Sequence, residues 1–238
     1  MKAFKLFILV AAGIFMQTNL SAQTVDEIVS KHIEAIGGAD NWKKVNSLVM
    51  EAGISTGGMD IPVTISRVNN KAMRQEFTVM SMTGYTIITN EGGWSFNPMQ
   101  GQSKAEAMSA DEIKAAQDGL DLQGDLLDYA SKGHTVTLLG KEDIDGASCY
   151  KLKLTRKSGR ETVYCIDSKT YYCIQEQSKV SMNGQEIQQV MKLSNFTKLP
   201  EGITMPMTME NGMVPAPINI NKVTVNPTLS ESLFKPAQ

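Results

Sequence analysis

The stretch from residue 138 to residue 180 limits the possible folds of this chain most strongly, because it reads as consecutive antiparallel strands. In residues 150–155, aromatic and leucine side chains alternate with lysines, so one face of the strand is apolar and the other is solvated. The polar turns at 156–160 and 167–170 are too short for a parallel crossover connection. These features predict an antiparallel meander with one buried face.

The remaining sequence extends this pattern on both sides. Strand-like runs separated by short turns occupy residues 47–89, and further runs occupy residues 185–225. A T-x-x-E capping box at Thr24 opens a helix before the strands, and a second capping box at Ser109 opens a helix that interrupts them. Because an insertion between two runs of strands often covers a site, we predict a mainly β chain with an N-terminal helix and an inserted helical lid.

The N-terminus has the organisation of a secretory signal peptide, with a positively charged start, an apolar run over residues 6–15 and small residues before Gln23. We predict cleavage of residues 1–22 and a single exported domain over residues 23–238. No cysteine stands at the cleavage site, so the mature chain is not predicted to be a lipoprotein. The apolar run is short for a membrane anchor, and no later run is long and apolar enough to span a bilayer.

Charge and histidine content argue against several classes of function. The formal net charge is -2 and no basic cluster is present, which argues against nucleic-acid binding. The two histidines, His32 and His134, leave little material for a histidine-rich metal site. Four aspartates between residues 118 and 128 lack the spacing of a calcium loop, and helix caps and a solvated loop explain them better. We therefore predict neither a metal nor a cofactor.

Two motifs resemble catalytic signatures, but the secondary structure predicted around them does not fit those signatures. Residues 53–57 match G-x-S-x-G, which in hydrolases places its serine between a strand and a helix. Here a hairpin turn and a second strand follow the motif. Ser148 and Lys151 match S-x-x-K, but residues three apart on a strand point to opposite faces. The sequence thus predicts no catalytic residues, and we predict that the chain is not an enzyme.

The three cysteines, Cys149, Cys165 and Cys173, all lie within the predicted meander. Export permits a disulfide, and an odd number of cysteines leaves at least one free thiol. The register of the strands that flank the turn at 167–170 decides whether Cys165 and Cys173 share a face. Buried free thiols that act as small hydrophobic side chains are the alternative, and both interpretations remain open.

Methionine is the residue type that most suggests a binding surface, with 15 copies in the chain. Its side chain is flexible and polarizable, so it adapts to irregular apolar partners. Strand alternation predicts that Met80 and Met82 share one face, as do Met205, Met207 and Met209. A curved sheet lined in this way would form a deformable apolar cavity suited to acyl chains, whereas core filling is the alternative for any single methionine.

Six short motifs occur in an order that is typical of one superfamily. They are E-A-I-G-G at residues 34–38, I-S-R-V-N-N at 65–70, T-N-E-G-G-W-S-F-N-P at 89–98, L-L-G-K-E-D at 138–143, C-Y-K-L-K-L at 149–154 and Y-C-I-D at 164–167. Their order resembles that of the periplasmic carrier LolA, and more closely that of the outer-membrane lipoprotein-sorting proteins of the LolA-like superfamily. Cys165 interrupts the Tyr-Ile-Asp run of that family. The resemblance covers nearly the whole of the mature chain.

The resemblance implies a half-open antiparallel β-barrel whose concave apolar side is covered by helices. It implies a periplasmic carrier that holds acyl chains of lipoproteins or phospholipids in this cavity, without covalent chemistry, for delivery toward the outer membrane. Possible partners are an inner-membrane donor protein and an outer-membrane acceptor protein.

The resemblance also suggests roles for particular residues. An arginine that helps to hold the helical lid of LolA shut corresponds to Arg67, although Ser66 and Val68 replace the lysine and the proline of that family. As a hypothesis, the acyl chains contact six methionines: Met80, Met82, Met191, Met205, Met207 and Met209.

The alternative function is a non-enzymatic periplasmic binding or scaffold module for a protein partner or another hydrophobic ligand. An apolar cavity lined by inward-facing residues would favour the carrier. A filled core with an exposed sheet edge would favour the module.

Overall fold

The computed structural model describes residues 23–182, 185–212 and 216–237, so the signal peptide predicted for residues 1–22 lies outside the described residues. Within this part of the chain, thirteen strands form one antiparallel sheet whose two end strands do not pair with each other. The sheet is therefore a half-open barrel rather than a closed one. This confirms the predicted mainly β architecture with covering helices.

The strands follow one another along the chain. They are β1 (Ser47–Thr56), β2 (Met59–Val68), β3 (Ala72–Val79), β4 (Met82–Thr89), β5 (Gly93–Phe96), β6 (Glu106–Ala107), β7 (Thr135–Ile144), β8 (Ala147–Thr155), β9 (Glu161–Asp167), β10 (Cys173–Met182), β11 (Gln185–Lys198), β12 (Thr204–Asn211) and β13 (Ile218–Val225). Most strands have seven or more residues, whereas β5 has four and β6 has two. The α-helices are α1 (Val25–Ala35), α2 (Ala39–Trp42) and α3 (Ala110–Gln117), and 3-10 turns span Pro98–Gln100, Asp118–Leu120 and Glu231–Phe234. No helix in the described residues is long and apolar enough to cross a membrane.

The order of strands across the sheet is β6-β5-β4-β3-β2-β1-β13-β12-β11-β10-β9-β8-β7. The first and last strands of the chain therefore pair in the middle of the sheet, and β6 and β7 form its two edges. Helix α3 lies in the connection between these edge strands, so the chain passes from one edge of the half-barrel to the other through it. This position is the one expected of the inserted lid.

The pairing of β12 with β13 is much shorter than that of the other long strands. In the described residues, two pairs join them, Thr208 with Asn219 and Met209 with Ile218. By contrast, β1 and β2 pair along their whole lengths. The sheet thus has one weakly joined position near its centre.

Helix α1 fills one end of the half-barrel. Its N-cap, Thr24, accepts a hydrogen bond from the Glu27 amide, and the Glu27 carboxylate accepts one from the Thr24 amide, as the capping box predicts. Ile28 and Ile33 of the helix pack against buried strand residues such as Leu152. A tightly packed apolar core therefore occupies this end of the inner face.

The outer face of the sheet carries a separate, smaller cluster. Ala72, Tyr85 and Ile87 are buried there against Phe234 of the C-terminal 3-10 turn. Alternate residues of the same strands, such as Met73 and Ile88, point to the inner face. Both faces of β3 and β4 therefore carry apolar side chains.

The three cysteines are free and buried. Burial raises the pKa of the Cys149 thiol to about 11, and it also raises the pKa of Cys165 and of Cys173. Thiols of this kind are poor nucleophiles at neutral pH. The structure therefore contains the buried thiols rather than a disulfide.

Candidate binding cavity

Apolar side chains from the five adjacent strands β3, β2, β1, β13 and β12 form a continuous surface on the inner face of the sheet. Register places them together, since Met50 pairs with both Ile65 and Val223, and Met209 pairs with Ile218. We call this surface the methionine face; its members are Met50, Ala52, Ile54, Val63, Ile65, Met73, Phe77, Met205, Met207, Met209, Ile218, Ile220 and Val223.

The methionine face is less completely covered than the core beneath α1. Met205, Met207 and Met209 are half-buried, whereas Leu152 and Leu154 beneath α1 are fully buried. Met205 contacts both clusters, so both lie on the same side of the sheet. The inner face therefore has a filled end and an end with apolar surface available to a ligand.

The structure brings together three of the six methionines proposed from the sequence, and a fourth lies on the neighbouring strand. Met205, Met207 and Met209 line the methionine face, and Met191 lies on the adjacent strand β11, paired with Glu176 of β10. Sequence reasoning missed Met50. The alternation of Leu48, Met50, Ala52 and Ile54 along β1 predicts that they share one buried face. In the structure, Leu48, Met50 and Ala52 are buried.

Met80 and Met82 lie at a hairpin tip. Strand β3 ends at Val79 and β4 begins at Met82, so the prediction that Met80 and Met82 share a strand face is wrong. Met80 and Ser81 form the turn with positive φ angles, and Met80 is 77% exposed. Val79 pairs with Met82, which is 40% exposed.

Helix α3 lies over the inner face between β4 and β10. An added Cβ on Gly93 would lie 3.0 Å from Ile113 and 3.1 Å from the Met108 sulfur, so glycine allows the α3 segment to approach the sheet closely. Ile88, which pairs with Met73 of the methionine face, would be equally close. No residue of α3 is buried, although Gln117 donates a 2.8 Å hydrogen bond from its amide nitrogen to the Thr89 carbonyl.

A cleft of about 670 Å³ separates α3 from the strands on the other side of the half-barrel. Met108 and Ala115 line it on the side of α3, and Val180 and Gln189 line it on the side of β10 and β11. A volume of this size is in the range of small-molecule binding sites, roughly 300–1,000 Å³.

Arg67 connects the sheet to the end of the α3 segment. Its Nη2 donates a hydrogen bond to the carbonyl oxygen of Gly119, in the 3-10 turn that follows α3. Burial lowers the pKa of Arg67, and the nearby Asp121 carboxylate opposes this effect. The guanidinium predicted to act on the lid thus contacts the lid segment directly.

The aspartates that follow α3 are also bound to basic side chains. Asp118 lies 3.5 Å from the Arg160 guanidinium, and Asp121 lies 2.5 Å from the Lys132 ammonium. Asp125 accepts a hydrogen bond from Arg156 and a second one, at 2.9 Å, from the Tyr164 hydroxyl. The interpretation as a solvated loop is therefore wrong for Asp118, Asp121 and Asp125, whose side chains are largely buried. Asp128, which pairs with Lys43, is about half exposed, and Asp118 and Asp121 do cap the ends of helices as predicted.

Beneath residues 118–127 lies a second, polar cavity of about 300 Å³. His32, Arg67, Asp125, Arg156, Tyr164 and Glu176 are among its lining residues. Glu176 is half-buried and has no hydrogen bond or ion pair within the described residues. Burial, followed by the charge of Asp125, raises the pKa of Glu176 to about 7, with Arg156 opposing the shift. The described residues contain no group of three or more histidine, cysteine, aspartate or glutamate side chains that could hold a metal ion.

No family model matches this chain, and no curated protein matches it. Solved structures do. A LolA superfamily protein from Nitrosomonas europaea is 14% identical with a TM-score of 0.55, over 90% of this chain and 98% of that chain. A domain described as an outer membrane lipoprotein-sorting protein, from Vibrio parahaemolyticus, is 13% identical with a TM-score of 0.53, over 87% of this chain and 94% of that chain. At these identities the similarity shows the fold, which is LolA-like as predicted.

Proposed function

We propose that this chain, whose fold is LolA-like, is a periplasmic carrier that binds acyl chains of lipoproteins or lipids and delivers them toward the outer membrane. The observation that supports this proposal most is the methionine face, whose three β12 methionines are half-buried, at the end of a half-barrel whose other end is filled. Flexible methionine side chains can adapt to acyl chains of different length and conformation.

The proposed acyl-chain contacts are Met191 of β11 and the three methionines of the neighbouring strand β12, on the inner face of the sheet. Met80 and Met82 are exposed at a hairpin tip, where we propose that they guide a chain onto the face. Phe77 and Val63, which pair in the adjacent strands, connect this tip to the methionine face.

Binding and release require no covalent chemistry and no cofactor. Each methylene group removed from water contributes about 0.8 kcal/mol, so a long acyl chain in a fully closed cavity would dissociate slowly. A covering helix without a buried residue can open at modest cost. The absence of buried residues in α3 therefore supports a carrier that must release its cargo.

A second candidate function is supported by the edge strand β7. This strand is ten residues long and largely exposed, and Leu139 on it is 51% exposed. An unpaired strand edge can bind an extended segment of a partner protein by adding a strand. Gly140, at a positive φ, and a register shift between Leu138 and Gly140 interrupt the ladder, which limits such pairing.

Native mass spectrometry of protein purified from its own compartment distinguishes the two functions. For a carrier we expect bound phospholipid or acylated peptide that is released on denaturation. A clean mass of the protein alone, combined with failure to bind a fluorescent fatty acid, would contradict the carrier and would favour the protein-binding module.

Arg67→Ala should loosen the α3 segment without unfolding the sheet. Loss of the hydrogen bond to Gly119 removes roughly 1–1.5 kcal/mol of local stability. We therefore expect amide hydrogen exchange over residues 110–120 to become roughly five to ten times faster, measured by mass spectrometry.

Arg74→Ala provides a matched control for this prediction. Arg74 also donates a hydrogen bond to a backbone carbonyl, that of Leu233 at 3.1 Å, but on the outer face of the sheet. Its loss should leave exchange over residues 110–120 unchanged. Equal acceleration by both variants would show that the effect of Arg67 is not specific to the lid.

A further inference from the structure

Strand β12 places three sulfur atoms on one face of the sheet. Met205, Met207 and Met209 alternate along it, so their side chains share the inner face, and all three are half-buried. The neighbouring strand β13 fills inner-face positions with isoleucine and valine instead, as at Ile218 and Val223. Residues of that kind are the usual choice for a strand. Filling the inner face with apolar volume therefore does not require methionine on β12.

A fourth sulfur lies on the adjacent strand β11. Met209 pairs directly with Leu193, and Met191 is two residues from Leu193 on the same face. Met191 is thus the diagonal neighbour of Met209, and it is also half-buried. Diagonal neighbours in an antiparallel pair are within reach of long side chains. We call these four side chains the thioether row; its members are Met191, Met205, Met207 and Met209.

Neighbouring sulfurs in the thioether row can approach one ion. Alternate residues on a strand are about 7 Å apart. A methionine side chain has three rotatable bonds, which let its sulfur turn toward a neighbour. The four side chains are half-buried, whereas Leu152 and Leu154 beneath α1 are fixed in a filled core. Met209, with Met207 along its strand and Met191 across the ladder, is therefore the position where thioethers can meet around a cation.

The chemistry of thioether sulfur selects the cation. Thioethers are soft, uncharged ligands, and soft ligands favour Cu(I), whereas magnesium and calcium ions favour oxygen ligands. The side chains of the methionine face are all apolar, so they would not neutralise the charge of a bound ion. A monovalent ion costs less to place in such surroundings than a divalent one. Both arguments favour a soft monovalent metal ion.

The usual metal ligands are not assembled on the methionine face. His32 lines the polar cavity beneath residues 118–127, and the cysteines are buried on β8, β9 and β10. Among the described residues, histidine, cysteine and carboxylate side chains form no group of three that could hold a metal. The expectation from the sequence that no metal binds rests on those ligand types and does not consider thioethers.

We propose that the thioether row binds a soft monovalent metal ion, Cu(I) by its chemistry, through the sulfur atoms of Met209 and its neighbours Met207 and Met191. The proposal rests on the register of β11 with β12 and on the shared face of these side chains. It does not depend on the proposed carrier function. A bound ion would lie on the surface proposed for acyl chains, so the two ligands would exclude each other.

Calorimetric titration of the mature protein with Ag(I) in chloride-free buffer tests the proposal, because Ag(I) has the charge and softness of Cu(I) but is not readily oxidised. We expect one tightly bound equivalent of Ag(I), for which Cu(I) kept reduced by ascorbate should compete. The absence of a tightly bound equivalent would overturn the metal site and leave the carrier function intact. Tight binding of Ag(I) by protein that binds no fatty acid would support the metal site and contradict the carrier.

Met207→Leu/Met209→Leu should lose the tightly bound equivalent of Ag(I), because the two sulfurs that remain in the row, those of Met191 and Met205, are not neighbours. Leucine has a similar volume and no sulfur, so the affinity of this variant for a fluorescent fatty acid should stay unchanged. Retention of the full Ag(I) affinity in the folded variant would overturn the assignment and would indicate that other ligands, such as the thiols, hold the ion.

Met59→Leu/Met99→Leu is the matched control, since it also removes two sulfurs. Met59 is 43% exposed and Met99 is 42% exposed, and neither belongs to the methionine face. This variant should keep the tightly bound equivalent of Ag(I). Equal loss of Ag(I) binding in both double variants would overturn the assignment to the thioether row.

Methionine methyl resonances identify the ligands in the unaltered protein, so the proposal can be tested even if Met207→Leu/Met209→Leu does not fold. In protein labelled with carbon-13 at its methionine methyl groups, one equivalent of Ag(I) should shift a subset of these resonances. The resonances of Met59 and Met99, identified by their absence from the control variant, should not move. No shift of any methionine methyl resonance at one equivalent would overturn the site.

Discussion

The double variant Met207→Gln/Met209→Gln should bind a fluorescent fatty acid roughly 30-fold to 100-fold more weakly than the unaltered protein. Both side chains are half-buried on the methionine face, and a fully buried methionine contributes about 1.5–3 kcal/mol. Glutamine has a similar volume, but its amide would lose hydrogen bonds to water when an acyl chain covers it. The measurement is a fluorescence titration at matched protein concentration.

Met99→Gln is the control for this loss of affinity. Met99 lies in the 3-10 turn after β5, away from the methionine face, and is 42% exposed. The Met99→Gln variant should bind the fatty acid with the same affinity as the unaltered protein. Circular dichroism should show that the double variant is folded. Unchanged affinity in the folded double variant would contradict the assignment of the acyl-chain site to β12.

Arg156→Ala should lower the free energy of unfolding by about 3 kcal/mol or more, the largest stability effect that we expect of a single polar residue here. Arg156 donates to both Asp125 and the Thr162 hydroxyl, and both members of its ion pair are largely buried. Removing it leaves the largely buried Asp125 carboxylate without the charge of Arg156. Urea denaturation measures the change.

Arg160→Ala tests whether the burial of the Arg156–Asp125 ion pair explains the large loss of stability expected for Arg156→Ala. Arg160 pairs with Asp118 but is more exposed, so its loss should cost less than about 1 kcal/mol. The double variant Arg156→Met/Asp125→Asn should be more stable than Arg156→Ala, because it also removes the unpaired charge. Similar losses for Arg156→Ala and Arg160→Ala would contradict this account.

Local sequence signals predicted the elements of the fold well. The capping boxes at Thr24 and Ser109 both form as predicted, because each depends on residues three positions apart. The shared face of the three methionines in β12 is likewise a consequence of strand alternation alone.

The hairpin at Met80 was not predictable from the same rules. Two-residue turns with positive φ angles usually contain asparagine or glycine, whereas this one is formed by Met80 and Ser81. Because neither Met80 nor Ser81 has a strong turn preference, strand alternation alone predicts that the strand continues through this position.

The spacing of residues along the sequence does not predict the polar cavity either. The basic partners of Asp118 and Asp125 lie on the β8–β9 hairpin, more than thirty residues further along the chain. Only the curvature of the sheet and the path of the segment after α3 bring them together. Glu176 itself occurs in a run of polar residues in which nothing distinguishes it.

The short pairing between β12 and β13 has a mechanical consequence. A continuous ladder of hydrogen bonds resists splaying, whereas a joint of two residue pairs yields more easily. This joint crosses the methionine face between Met209 and Ile218, so the sheet can flex at the place where cargo would press on it. The half-barrel could therefore widen at the junction of β12 and β13. Such a change in width would let one protein hold cargo of different thickness.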